Sequence, residues 1–165
     1  PLQQQLNTLR TASKIIFSLI LVATLSQCGG IGVFEKNIAI PGHAWNSQLK
    51  PEIKVDITDT SSLYNIYVVL RHTDAYDFKN IWLNIGITPP GDSTHFSRWD
   101  LPLATDEAGW LGDGMDDIYE HRILLTDEPV KLKTGEYRFT LEHLMREDPL
   151  QHVLNAGIRV EKTQP

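Results

Sequence analysis

The chain has 165 residues, 41% of them hydrophobic and 22% charged, with 15 basic and 21 acidic side chains and a formal charge of −6. That length fits one ordinary domain with a real core, and the balance is that of a globular chain, not a disordered one. A negative chain without a basic cluster excludes a nucleic-acid surface, which needs a concentrated positive field.

In chain order, the first element is "IIFSLILVATL", Ile15 to Leu25, preceded by Arg10 and Lys14. A membrane-spanning helix needs roughly 20 apolar residues, so this shorter run with a basic flank reads as a secretory signal peptide, residues 1–27. Its removal takes two basic residues and no acid, which leaves a formal charge of −8. Directly after it, "LSQC" ends in Cys28, the only cysteine, which can form no internal disulfide. The block resembles the lipobox of bacterial lipoproteins, in which the thiol is acylated and becomes the new N-terminus. Gln27 stands where that pattern prefers Gly, Ala or Ser. The resemblance implies lipid attachment at Cys28 and a membrane anchor of acyl chains, each buried CH2 contributing about 0.8 kcal/mol. Residues 28–33 then read as a glycine-rich tether, and residues 34–165 as a single domain.

From Phe34 onward period-two alternation dominates. "EIKVDIT" places Ile53, Val55 and Ile57 on one face. "LYNIYVVLRH" is apolar on nearly every position, as a central strand requires. "NIWLNIGIT" sends Ile81, Leu83, Ile85 and Ile87 to the core and leaves Trp82 outside. "EYRFTLEHL" buries Tyr137, Phe139, Leu141 and His143, and "NAGIRVEK" buries Ala156, Ile158 and Val160. The turn signals "DTSS", "TPPGDS", "GDG", "TDEP" and "KTGE" separate these runs. One short helix is expected near Leu144 to Asp148, stopped by Pro149. The pattern predicts an all-β domain of about seven to nine strands, a two-sheet antiparallel β-sandwich of jelly-roll-like or immunoglobulin-like connectivity.

The stretch "GWLGDGMDDIYEH", Gly109 to His121, gathers the residue types that a cation or an acid/base site uses. The EF-hand pattern fails, because counting from Asp113 the third position is Met115 and the sixth is Ile118. A looser ion or partner contact through Asp113, Asp116, Asp117 and Glu120 competes with a solvated turn, and the turn is the plainer reading. Gly109, Gly112 and Gly114 are expected to supply positive φ in a compact bend, Trp110 to anchor it, and Ile118 to open the next strand. No histidine pair has zinc-finger spacing, and no metal is expected. His143 is expected as a hydrogen-bonded histidine at the core edge. No G-x-S-x-G elbow is present. "HTDAYD" reads as a strand exit with Tyr76 packed and the aspartates capping backbone donors. Trp45, Trp99 and Trp110 default to the core, while outward Trp82 suggests a platform for a sugar ring or a protein.

Several blocks together resemble one family. "LYNIYVVLRHTDAYDFKNIWLNI", "PLATDEAGWLGDGMDDIYEHRILL" with its W-L-G-x-G-x-x-D-I signature, "GEYRFTLEHLMRED" and "LNAGIRVEK", with "HAWNS" around Trp45 and the lipobox, are similar in order and spacing to the gliding motility lipoprotein GldH family of the Bacteroidetes. In the signature, Trp110, Gly112, Gly114, Asp117 and Ile118 match. The resemblance implies a non-enzymatic cell-envelope lipoprotein needed for gliding, working beside the motility and type IX secretion apparatus, with no cofactor. No acidic run follows Cys28, so an outer-membrane anchor with the domain facing the periplasm is expected. A carbohydrate-binding envelope lipoprotein is the alternative.

Overall fold

The computed structural model describes residues 32–163. The expected signal peptide, Cys28 and most of the tether lie outside the described residues. Thirteen strands follow one another: β1 (Val33–Ala39), β2 (Ala44–Trp45), β3 (Glu52–Ile57), β4 (Leu63–Thr73), β5 (Asn80–Thr88), β6 (His95–Pro102), β7 (Ala104–Thr105), β8 (Gly109–Trp110), β9 (Asp113–Met115), β10 (Ile118–Leu124), β11 (Gly135–His143), β12 (Leu150–Gln151) and β13 (Val153–Thr163). A 3-10 turn, Pro41–His43, is the one helical element among the described residues. No described helix is long and apolar enough to cross a membrane.

A five-stranded sheet runs β1-β13-β4-β10-β9 and a four-stranded sheet runs β3-β11-β5-β6. Numbering the eight long strands β1, β3, β4, β5, β6, β10, β11 and β13 by chain order, one sheet takes the first, eighth, third and sixth, and the other the second, seventh, fourth and fifth. That interleaving is the jelly roll, and it separates the two connectivities that the alternation pattern leaves open. The two-residue pairs β2 with β12 and β7 with β8 close the ends.

Alternation decides which side chains fill the space between the sheets. Ile53, Val55 and Ile57 of β3, Tyr64, Ile66, Val68 and Leu70 of β4, and Tyr137, Phe139 and Leu141 of β11 are all buried. β4 is central, as its apolar run predicts, and Val69 is fully buried although it points away from the core. A ladder of charges covers that outer face. Arg159 meets Glu161 at 3.1 Å and Glu35 at 3.0 Å, Arg122 reaches Glu35 at 3.4 Å, and Glu120 takes Arg71 at 2.9 Å and Arg122 as well. The arginine stems pack over apolar surface while their heads pair with carboxylates.

Three expectations are corrected. Residues 144–148 form no helix, because the β11 alternation runs on to His143 and the Leu144 N–H then donates to the Trp82 carbonyl at 2.8 Å. The exit "HTDAYD" does turn with Tyr76 buried, but backbone bonds hold it, Tyr76 N–H to Thr73 at 3.1 Å and Asp74 N–H to Asp117 at 2.7 Å. Neither of its aspartates is the acceptor. His143 is buried at the strand end with neither ring nitrogen in a hydrogen bond. It packs edge-on against Trp45 at 5.4 Å, with an Asp148 oxygen 3.9 Å away.

Candidate functional site

The signature stretch forms a corner between a small ribbon and the five-stranded sheet. β7 and β8 pair Ala104 with Trp110 and Thr105 with Gly109, and the Leu111 N–H donates to the Leu103 carbonyl at 2.8 Å. The chain then runs through β9, turns at Asp116 and Asp117, and returns as β10, with Tyr119 opposite Gly114.

The three glycines do different work. Gly109 has φ +69 with open space around it, the left-handed case expected for a bend. Gly112 and Gly114 do not adopt positive φ, which corrects the expectation for both. A Cβ on Gly112 would stand 2.5 Å from the Glu120 carbonyl oxygen and 2.9 Å from the His121 ring. A Cβ on Gly114 would meet the Tyr119 ring at 3.0 Å. Both are small so that another strand can lie against them. The left-handed residue of the turn is Asp116, φ 56, a position that a short polar side chain tolerates.

Behind this corner sits an aromatic cluster. The His72 ring lies 4.4 Å from Trp110, 5.1 Å from Tyr76 and 5.9 Å from Tyr119, and it stacks on His121 at 5.0 Å. The His72 and His121 Nε2 atoms are 2.9 Å apart, and His72 Nδ1 is 2.7 Å from the Thr73 carbonyl oxygen. A carbonyl only accepts, so His72 Nδ1 carries the proton, and His121 Nε2–H donates to His72 Nε2. This arrangement needs His72 neutral, with its Nε2 free to accept. Burial holds His121 down to about 4, with the neighbouring His72 adding to the shift and Asp113 opposing it. Burial also lowers His72, against the bond to Thr73. Both rings are buried, and the pair is a structural clamp between β4 and β10.

The acidic residues split. Glu120 is committed to Arg71 and Arg122. The Asp113 carboxylate is 93% exposed and only grazes Arg122 at 3.9 Å. Asp116 and Asp117 are exposed, with no ion pair among the described residues. No group of three or more His, Cys, Asp or Glu among the described residues could hold a metal ion. Beside the hairpin a cleft of about 370 Å³ runs along β10, with Pro102, Leu111, Ile123 and Leu124 as apolar lining and Glu120 and Arg122 as polar lining. Leu111 and Leu124 in this lining are exposed, and Met115 is exposed at the far end of the hairpin, opposite Ile118.

Trp110 is half-buried against the core, and Ile118 opens β10, both as expected. Trp82 is outward, 41% exposed, but it lies on the four-stranded sheet and not at this corner. The sequence reading missed the histidine pair. Its available signal was the inward phase of β4, in which Tyr64, Ile66, Val68 and Leu70 lead to His72.

The description of a GldH lipoprotein matches residues 32–160. The gliding motility lipoprotein GldH of Flavobacterium johnsoniae is 26% identical over 151 residues, 87% of this chain and 93% of that protein. The gliding motility lipoprotein GldH homolog of Christiangramia forsetii is 20% identical over 162 residues, 94% of this chain and 99% of that protein. A solved carbohydrate-binding module specific for non-crystalline cellulose superposes with a TM-score of 0.40 at 10% identity, over 82% of this chain and 75% of that chain, too loose a likeness to bear on function. With the family match spanning nearly all of the described domain, the chain belongs to the GldH lipoprotein family.

Proposed function

We propose that this protein is a non-catalytic cell-envelope lipoprotein of gliding motility, anchored through acyl chains on Cys28, that docks onto other components of the gliding and type IX secretion machinery. The names of its relatives support the motility part. The observation that carries the docking part is the cleft at the signature, where the lining residues Leu111 and Leu124 are 49% and 44% exposed. Exposed apolar surface rimmed by polar residues is what an interaction site presents. The groups that could do chemistry there are occupied: the histidines bond each other and Glu120 is held by two arginines.

The anchor is placed in the outer membrane with the domain toward the periplasm, because no acidic run follows Cys28. Protease added to intact cells should leave the domain uncut, and its removal would contradict that orientation. Crosslinking of the tagged lipoprotein in envelopes should recover motility or secretion components, and recovery should fall when Leu111 and Leu124 become serine. Recovery of none of them would count against the docking.

One observation favours a second reading, carbohydrate binding: Trp82 lies exposed on an open sheet face near Asn84, whose amide donates to Glu142 at 3.2 Å. Glycan binding that disappears with Trp82→Ala would support it.

A further inference from the structure

The outer edges of the two sheets are not equally protected. Isolated edge strands invite pairing, and proteins blunt them with charges, prolines, bulges or shortness. β1 carries Glu35 and Lys36, β3 carries Glu52, Lys54 and Asp56 behind Pro51, and β9 is three residues long. β6 carries charges too, Arg98 and Asp100, but it is the longest of these edge strands, its register with β5 is unbroken over eight pairs, and His95, Phe96, Ser97, Arg98 and Asp100 are exposed.

The direction of its free backbone groups follows from the neighbouring strand. The Trp82 carbonyl accepts from Leu144 on the β11 side, so Trp82 turns its polar backbone away from β6, and its partner Asp100 turns its own away from β5. Alternation gives Arg98 and Phe96 the same direction. The N–H and C=O groups of Phe96, Arg98 and Asp100 therefore face the open edge.

We propose that a second copy of this chain pairs antiparallel along β6, about a two-fold axis at Trp99, and joins the two four-stranded sheets into one. The charges select this register. With the axis at Trp99, Arg98 of each copy faces Asp100 of the other, and these are positions whose backbone groups point outward, so the same residues exchange both ladder bonds. Moving the axis to Arg98 sets two guanidiniums against each other. Moving it to Ser97 sets Arg98 against Phe96 and Asp100 against Thr94, and neither charge meets its opposite. Arg98 has no ion pair among the described residues, while Asp100 accepts only the Asn80 amide, at 2.6 Å. The two Trp99 residues meet as a non-hydrogen-bonded pair, the closer of the two antiparallel spacings. Pro102, which has no N–H to donate, ends the ladder opposite Phe96.

The test uses the full-length lipoprotein, carried in two differently tagged copies in one cell and extracted in mild detergent. Wild-type copies should recover each other. Arg98→Asp alone, or Asp100→Arg alone, sets like charges opposite each other twice and should lower that recovery about tenfold. The two variants expressed together should restore it, because each then offers the charge that the other lacks. Circular dichroism checks that both are folded. Wild-type copies that stay single, single variants that pair as well as wild type, mixed variants that fail to pair, or recovery of a different protein lost with Arg98→Asp would each overturn the proposal.

Discussion

The buried histidine pair makes the stability of the domain depend on pH in a definite direction. An unfolded histidine titrates near 6.5, whereas His121 in the folded chain titrates at about 4 because burial and the adjacent His72 disfavour its charge. Between those values the unfolded chain binds a proton that the folded chain refuses, so lowering the pH favours unfolding. The stabilisation is fully present above pH 6.5 and is lost as the pH falls toward 4. A difference of about 2.5 units at 1.36 kcal/mol per unit makes the loss about 3 kcal/mol from His121, with His72 shifted in the same direction. The perturbation is His121→Phe, which keeps a ring against His72 and Gly112 and removes the titrating group. At pH 7.5 the variant should be less stable by about 1–2 kcal/mol, since His72 Nε2 loses its donor in a buried place. As the pH falls to 4.5 its stability should decline less steeply than that of the wild type, and the two should converge. Denaturant unfolding of residues 32–165 at pH 7.5, 6.5, 5.5 and 4.5 measures this. Parallel curves for the two proteins, or a wild type that gains stability below pH 6.5, would refute the reasoning.

The glycines give a ranked expectation in thermal unfolding. Gly112→Ala forces a Cβ against a backbone carbonyl and should cost about 1–3 kcal/mol, while Gly109→Ala pays only left-handed strain of about 1–2 kcal/mol. Glu35→Ala removes the carboxylate shared by Arg122 and Arg159; it should lower stability by about 1 kcal/mol, and the loss should shrink in high salt. Calorimetric titration with calcium should show no binding at millimolar concentration, and Asp116→Ala should leave the trace unchanged, because Glu120 already belongs to its arginines. Binding abolished by that substitution would restore the cation site. Labelling with a fatty acid should mark the wild-type chain and not Cys28→Ala.

What the sequence shows of this fold is what period two can carry. β3, β4, β5, β11 and β13 fall where alternation puts them, because a half-buried strand has to alternate. The pairs β2–β12 and β7–β8 are two residues long, too short to display a period. The expected helix at Leu144 to Asp148 failed because a run of good helix formers was outvoted by a strand that continues to His143. Composition at the signature gave the right region and the wrong reason for two glycines. Gly112 and Gly114 are set by Glu120 and Tyr119 lying across them, contacts that no local pattern reveals. His72 and His121 are 49 residues apart and meet only through the pairing of β4 with β10, where they are diagonal neighbours on one face.

Motility itself tests the central claim most directly. Cells lacking this protein should fail to spread on agar, and the full chain should restore spreading. Leu111→Ser with Leu124→Ser should not restore it, although that variant still reaches the envelope and folds. Deletion cells that spread normally, or full rescue by the cleft variant, would contradict the account.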